Sequence, residues 1–241
     1  MKTVESWWSE RLSTQLRVAR WGDIGRPVLV FPTAGGDAEE IERMGLVDAC
    51  APLMADGRIK LYSVDSIAGR AWLERADPGH AAWLQNQFDA AIRWEVVPAI
   101  RADCGSQSIG VISAGASIGA FNAVEVLTRH PDVFDAAIAM SGTFDLTPWL
   151  NGYWSDDFYF SSPLHWIPNL DGGWQLEQMR HRFVLFATGT GDWEDPDESW
   201  RLADVLGAKG IPNRVDEWHG WPHDWHTWRS MLPEYLHGIT S

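Results

Sequence analysis

Short runs of consecutive apolar residues alternate with segments of helical period along most of the chain. Arg26 to Phe31 reads RPVLVF between Gly25 and Pro32, and similar runs recur at Ile59 to Val64, Ser108 to Ser113, Ala136 to Met140 and Phe183 to Ala187. Runs apolar at successive positions belong to strands buried on both faces. A further strand is expected from alternation at Arg214 to Trp218. Between the strands, the spacing predicts helices over Asp37 to Met54, Ala81 to Arg101, Ile118 to Arg129 and Pro196 to Gly210, with a terminal helix from about Trp225 through Leu236. Strands alternating with helices imply right-handed crossovers and a mainly parallel sheet, with ligands at the carboxyl ends of its strands. The expected fold class is therefore α/β, as one domain over residues 1–241.

Two helix starts carry local signals. Asp37 with Glu40 fits a capping box, and so does Asp195 with Glu198, where Pro196 occupies the first helical position. The second helix should stop at Gly210, with Pro212 beyond it. The longest stretch without a period, residues 143–182, holds Trp149, Tyr153, Trp154, Phe158, Tyr159, Phe160, Trp166 and Trp174. A segment of that length inside a compact domain reads as a lid-like binding insertion, and the substrate pocket is expected against it.

Composition narrows the partners. The 241 residues carry a net charge of −14, which offers no attraction to a nucleic-acid backbone or an anionic membrane surface. There are 16 tryptophans, concentrated between Trp149 and Trp228, which predicts large flat apolar surfaces in the second half. Cys50 and Cys104 are too few for a disulfide framework and read as free buried thiols. Met1 to Arg20 shows no apolar secretory core, and no apolar run is long enough to span a bilayer, so the expectation is a soluble, cytoplasmic protein.

The segment that carries chemistry is IGVISAGASIGAFNAV, Ile109 to Val124. Gly115-Ala116-Ser117-Ile118-Gly119 satisfies G-x-S-x-G where a strand ends and a helix begins. A nucleophilic serine needs that sharp turn to expose Oγ, with glycines that let neighbouring backbone approach and helix amides aimed at a developing oxyanion. The alternative is a tight glycine-rich connection with a structural serine. Ser113 lacks the preceding glycine and lies within the strand.

A serine nucleophile needs a base and an orienting acid, in the chain order Ser, Asp or Glu, His. Past the strand ending near Ala187 come Asp192 and Glu194; Asp192 is favoured because it lies nearer the strand end. Past the last strand come His219, His223 and His226. His223 sits on a loop just before the terminal helix, whereas His219 closes the strand and His226 lies inside the helix. Their spacing matches no common zinc signature, so no metal is assigned. The second oxyanion donor is expected in the loop Pro32-Thr33-Ala34-Gly35-Gly36.

With these residues in place the chain resembles the α/β-hydrolase superfamily, and within it the putative-esterase group that includes esterase D (S-formylglutathione hydrolase), feruloyl esterase domains and the antigen 85 mycolyltransferases. The most specific stretches are GASIGAFNAVEVLTRHPDVFDAAIAMSG, Gly115 to Gly142, and GWPHDWHTWRSMLPEYL, Gly220 to Leu236. The resemblance implies an α/β-hydrolase fold, a mainly parallel sheet flanked by helices, with Ser117 as nucleophile, His223 as base and Asp192 as acid. Two departures stand out. Pro32-Thr33 replaces the family's usual His-Gly or Asp-Gly, so Ala34 as a backbone donor is carried over by position, and Ala120 stands where many relatives have glycine.

The function expected is hydrolysis of carboxylic esters or thioesters through an acyl-enzyme, with no cofactor and a small-molecule substrate. Ser117, Asp192 and His223 form the triad, the N–H groups of Ile118 and Ala34 bind the oxyanion, and Trp154, Trp193 and Trp221 contact substrate. The alternatives are an acyltransferase using the same triad and a non-catalytic, Trp-rich ligand-binding protein on a hydrolase scaffold.

Overall fold

The computed structural model describes residues 1–75 and 77–240. Eight strands form one sheet in the order β1-β2-β4-β3-β5-β6-β7-β8. They are β1 (Lys2–Ser9), β2 (Thr14–Trp21), β3 (Arg26–Phe31), β4 (Ile59–Val64), β5 (Val111–Ala116), β6 (Phe134–Met140), β7 (Phe183–Gly189) and β8 (Asn213–Trp218). β1 pairs with β2 and β2 with β4 in antiparallel sense, and every other pairing is parallel. This is the α/β-hydrolase architecture anticipated above.

Each central strand feeds two cores because successive side chains point to opposite faces. On β3, Leu29 and Phe31 join Phe88, Ile92, Phe121, Leu127, Phe186 and Leu202 on one face. Val28 and Val30 join Ile41, Leu53, Met231, Leu232 and Leu236 on the other. One face is thus covered by the helices Pro78–Ala91, Ile118–Arg129 and Pro196–Ala208, the other by the short helices after β3 and the terminal helix Trp225–Ile239.

Several expectations change. The N-terminal hairpin was not expected, because β1 is an edge strand with a mostly exposed, polar sequence and so lacks a buried-strand pattern. β5 begins and ends three residues later than read and runs directly into Ser117. The single helix expected over Asp37 to Met54 is three short ones, Glu40–Arg43, Leu46–Ala49 and Ala51–Ala55. Gly45 at φ 74° breaks the first from the second. Pro78–Ala91 continues through a π-helical turn, Ile92–Val96, into Val97–Asp103.

The Asp195 capping box is half-formed, and the Asp37 box does not form, since the helix begins at Glu40 with Glu39 in the cap position and no side-chain cap bond. Asp195 caps its helix by accepting the Asp197 N–H at 3.2 Å, but the Glu198 carboxylate turns away and accepts the N–H groups of Phe144 and Asp145, both at 2.8 Å. Asp37 accepts the Glu39 N–H, while Glu40 turns to Thr33.

Residues 143–182 fold into short helical pieces rather than a loose flap. Leu146, Leu150, Phe158, Ile167, Leu176 and Met179 are all buried in the larger core. The helix Asp156–Ser161 packs on Pro78–Ala91, and Glu198 pins the segment's first residues, so its base is fixed from two sides.

Candidate active site

Ser117 sits between the end of β5 and the start of the Ile118–Arg129 helix with φ 57° and ψ −124°, a region that non-glycine residues enter only under constraint. The constraint is visible. The Ser117 N–H donates to Met140 O at 3.0 Å, and the Ala120 N–H donates to Ser117 O at 3.0 Å. Both glycines of the motif are needed for contact rather than for flexibility. A Cβ on Gly115 would lie 2.2 Å from Gly119 O, and one on Gly119 would lie 2.4 Å from Phe31 O and 2.7 Å from Pro32 O. The second contact presses the elbow against the loop after β3.

That loop is braced by carboxylates. Glu40 accepts the Thr33 N–H and the Thr33 hydroxyl, both at 2.8 Å. Asp65, held by Arg17, accepts the Ala38 N–H at 3.0 Å. The Thr33 amide is therefore committed, whereas the Ala34 N–H has no acceptor among the described residues. Ile118, as the first helical residue, likewise lacks an intrahelical acceptor. The two residues meet over the helix Ile67–Leu73, where a Cβ on Gly69 would lie 3.2 Å from Ile118 Cγ2 and 3.5 Å from Ala34 Cα.

At the other side of the same sheet edge, the loops after β7 and β8 are stitched together. The Thr190 N–H donates to Trp218 O, Gly191 N–H to Trp221 O, and His223 N–H to Asp192 O, at 3.2, 2.9 and 2.9 Å. A Cβ on Gly189 would come within 2.0 Å of Trp221 O, so only glycine permits that approach. The loop then folds back, Glu194 N–H to Gly191 O at 3.3 Å. This reversal decides which acid faces inward. Asp192, favoured from the sequence, is exposed, and only its carbonyl touches His223. The carboxylate beside the imidazole is that of Glu194, with Oε2 at 3.7 Å from His223 Nδ1 and a side chain 1% exposed. Counting residues from the strand end places Asp192 inward, but β7 extends to Gly189 and the turn reverses direction, which brings the Glu194 carboxylate rather than that of Asp192 beside the imidazole.

Glu194 is held by two hydroxyls: Ser141 Oγ donates to Oε1 at 2.5 Å and Thr188 Oγ1 to Oε2 at 3.1 Å. Ser141, buried at the end of β6, accepts in turn from Trp228 Nε1 at 2.9 Å. The Trp228 ring packs edge-on against His223 with centroids 5.1 Å apart. His223, Glu194, Ser141 and Trp228 thus form a closed ring of contacts. Asp224 fixes the neighbouring helix by accepting the N–H groups of His226 and Thr227 at 2.8 and 3.1 Å. The sequence reading missed Ser141 and Thr188; a serine and a threonine at the ends of two adjacent buried strands were the available signal.

The family model for Putative esterase matches residues 63–239. The chain belongs to that family. It is a carboxylic ester hydrolase. No curated protein matches the sequence. Among solved structures, the esterase is similar to a ferulic acid esterase, with 18% identity and a TM-score of 0.78 over 100% of this chain and 98% of that one. It is also similar to an S-formylglutathione hydrolase from Agrobacterium tumefaciens, with 14% identity and a TM-score of 0.74 over 100% and 94%. MPT51 (FbpC1) of Mycobacterium tuberculosis shares 18% identity and a TM-score of 0.73 over 99% and 98%. At these identities the likeness is one of fold.

The other residues singled out from the sequence fall in separate settings within the esterase. Trp154 packs on Phe158 and His165, Trp221 stacks on His226 at 5.2 Å, and Trp193 is 92% exposed on a left-handed turn at φ 66°. His219 contacts Thr190 Oγ1, so the three clustered histidines take three different partners. Ser113 is buried and donates to Ala123 O at 2.8 Å. Cys50 is buried, which pushes its thiol up to about 12. No helix among the described residues is long and apolar enough to cross a membrane.

Proposed function

We propose that the esterase cleaves carboxylic esters or thioesters through an acyl-enzyme on Ser117, with His223 as base and Glu194, not Asp192, as the acid. The observation that carries this reading is the buried Glu194 carboxylate 3.7 Å from His223 Nδ1, on the sheet edge where β5 ends in Ser117. That separation is longer than a hydrogen bond, as is common for catalytic pairs before substrate closes the site.

His223 takes the Ser117 proton through Nε2 as Oγ attacks the carbonyl. Glu194 fixes the tautomer through Nδ1–H and stabilises the imidazolium. The Ile118 and Ala34 N–H groups receive the oxyanion. The imidazolium then protonates the departing alkoxide or thiolate, and water, deprotonated by His223, releases the acid. These steps draw only on side chains and backbone amides.

The test is labelling with a fluorophosphonate, followed by peptide mapping. A single adduct on Ser117, lost in His223→Ala, is the expected result. No adduct, or one on Ser113 or Ser141, overturns the assignment.

A further inference from the structure

The sequence holds 33 acidic residues against 19 Lys and Arg. Almost every one of those cations meets a carboxylate, a carbonyl or a histidine. Among the described residues the exceptions are Arg70 and Arg75. Both belong to the helix Ile67–Leu73 and the turn that follows it. This is the helix that supports Ile118 and Ala34 through Gly69.

Arg75 lines a cavity of about 230 Å³ with Pro148, Trp149 and Asn151. The segments that carry both walls are tied to the candidate catalytic centre. On one side, Leu73 lies over the oxyanion loop, since a Cβ on Gly35 would come 3.0 Å from Leu73 Cδ2. On the other, the chain that leads to Trp149 is anchored by the Thr143 N–H donating to Ser117 O at 3.4 Å and by Glu198 at Phe144 and Asp145.

The chemistry of the lining is one-sided. The Arg75 guanidinium, the half-buried Trp149 indole N–H and the exposed Asn151 amide have no side-chain hydrogen bonds within the described residues, and no carboxylate lines the cavity. Arg75 and Trp149 can only donate, and the Asn151 amide can donate as well. A fork of donors beside an indole suits a planar acceptor with two oxygens. The volume is below the 300–1,000 Å³ typical of pockets for whole drug-sized ligands. It accommodates the end of a substrate rather than all of it.

We propose that this cavity binds a carboxylate carried by the ester or thioester substrate, on its acyl chain or on its leaving group, with Arg75 as the charge that selects it. The proposal rests on the serine-hydrolase reading for the position of the scissile bond. In a chain of net charge −14, an unpaired guanidinium lining this cavity gives an anionic substrate a local attraction that the rest of the surface denies it.

The experiment compares matched substrates. The acyl arm sets p-nitrophenyl hydrogen glutarate against p-nitrophenyl valerate. The leaving-group arm sets meta-carboxyphenyl butyrate against meta-carbamoylphenyl butyrate. In one arm the wild type should prefer the charged member by roughly tenfold in kcat/KM, the scale of one charge-assisted contact. That ratio should collapse in Arg75→Ala, fall in Trp149→Phe and weaken with added salt. Which arm responds identifies the source of the carboxylate. A charged-to-neutral ratio identical in wild type and Arg75→Ala in both arms overturns the proposal. Should the wild type cleave no ester at all, the hydrolase reading fails, and titration calorimetry with glutarate then judges the cavity alone. Binding lost in Arg75→Ala upholds it, and equal heats in both proteins overturn it.

Discussion

Replacing Glu194 by Gln removes one charge from a carboxylate that is 1% exposed and 3.7 Å from His223 Nδ1. At an effective dielectric constant of about 20, two unit charges at that distance attract by roughly 4 kcal/mol, which corresponds to about three powers of ten in rate if the full term appears only when the imidazole becomes charged. The amide adds a geometric penalty. Ser141 and Thr188 both donate to Glu194, so whichever oxygen is replaced by NH2 meets a donor. We therefore expect Glu194→Gln to lower kcat for a p-nitrophenyl ester about a thousandfold, with KM little changed, because the lost interaction belongs to the transition state. Asp192→Asn should stay within about twofold of wild type, since that side chain is exposed. Calorimetry of both variants separates loss of fold from loss of function. A Glu194→Gln enzyme within tenfold of wild type, or an Asp192→Asn enzyme without turnover, would refute the assignment of the acid.

Other perturbations follow from the same geometry. Ser141→Ala strips a partner from both Glu194 and Trp228, and should lower kcat about tenfold at constant KM, with Trp228→Phe having a smaller effect; stopped-time assays at saturating and limiting substrate distinguish the two parameters. Gly119→Ala forces a Cβ to 2.4 Å from Phe31 O, so a drop of about 1–3 kcal/mol in stability is expected in urea titration, together with loss of turnover as the oxyanion loop is displaced. Wild-type stability and rate in that variant would contradict the close approach. Glu125 is fully buried, and burial, then the neighbouring Asp89 charge, pushes its carboxyl well above the usual range. A raised folded-state value means that the contribution to stability is complete below the unfolded-state value and is lost as pH rises through the folded one. Glu125→Gln should therefore raise Tm at pH values above that folded-state titration and have less effect in acid; an equal shift at all pH values would show that Glu125 does not titrate as described.

What the chain disclosed in advance depends on the range of the interactions involved. The elbow was legible because its requirements are local: glycine at 115 and 119, a strand before and a helix after. The parallel strands were legible because burial on both faces leaves an unbroken apolar run. Glu40, Glu198 and Glu194 were not, and for one reason. Spacing gives Glu40 and Glu198 a local capping role and leaves Glu194 second to Asp192 as the acid, but in the fold each answers N–H or O–H groups supplied by another segment, Thr33 for Glu40, Phe144 and Asp145 for Glu198, Ser141 for Glu194. A capping box satisfies only donors that water can also reach, whereas the tethered loops bury theirs, and an unmet buried donor is the costlier fault. For Glu40 and Glu198 the long-range partner prevails over the local one.

The same argument revises the tryptophans. Their excess predicts large flat apolar surfaces in the second half, yet several of the indoles serve as hydrogen-bond donors at fixed places. Trp7 Nε1 donates to Glu95 at 2.9 Å, Trp21 to Glu42 at 3.0 Å and Trp200 to Glu217 at 2.7 Å. A chain with a surplus of acids lacks cations to meet them all. Indole supplies an N–H without adding charge, and it buries a large apolar face while doing so. At the candidate active site the role goes one step further: Trp228 donates to Ser141, and the hydroxyl thus oriented donates to Glu194. An arginine in that place would neutralise the acid and weaken its hold on His223, whereas an indole acting through a hydroxyl orients the carboxylate and leaves its charge for the imidazolium. The surplus of negative charge and the surplus of tryptophan are therefore two sides of one arrangement, and its most demanding use is beside His223.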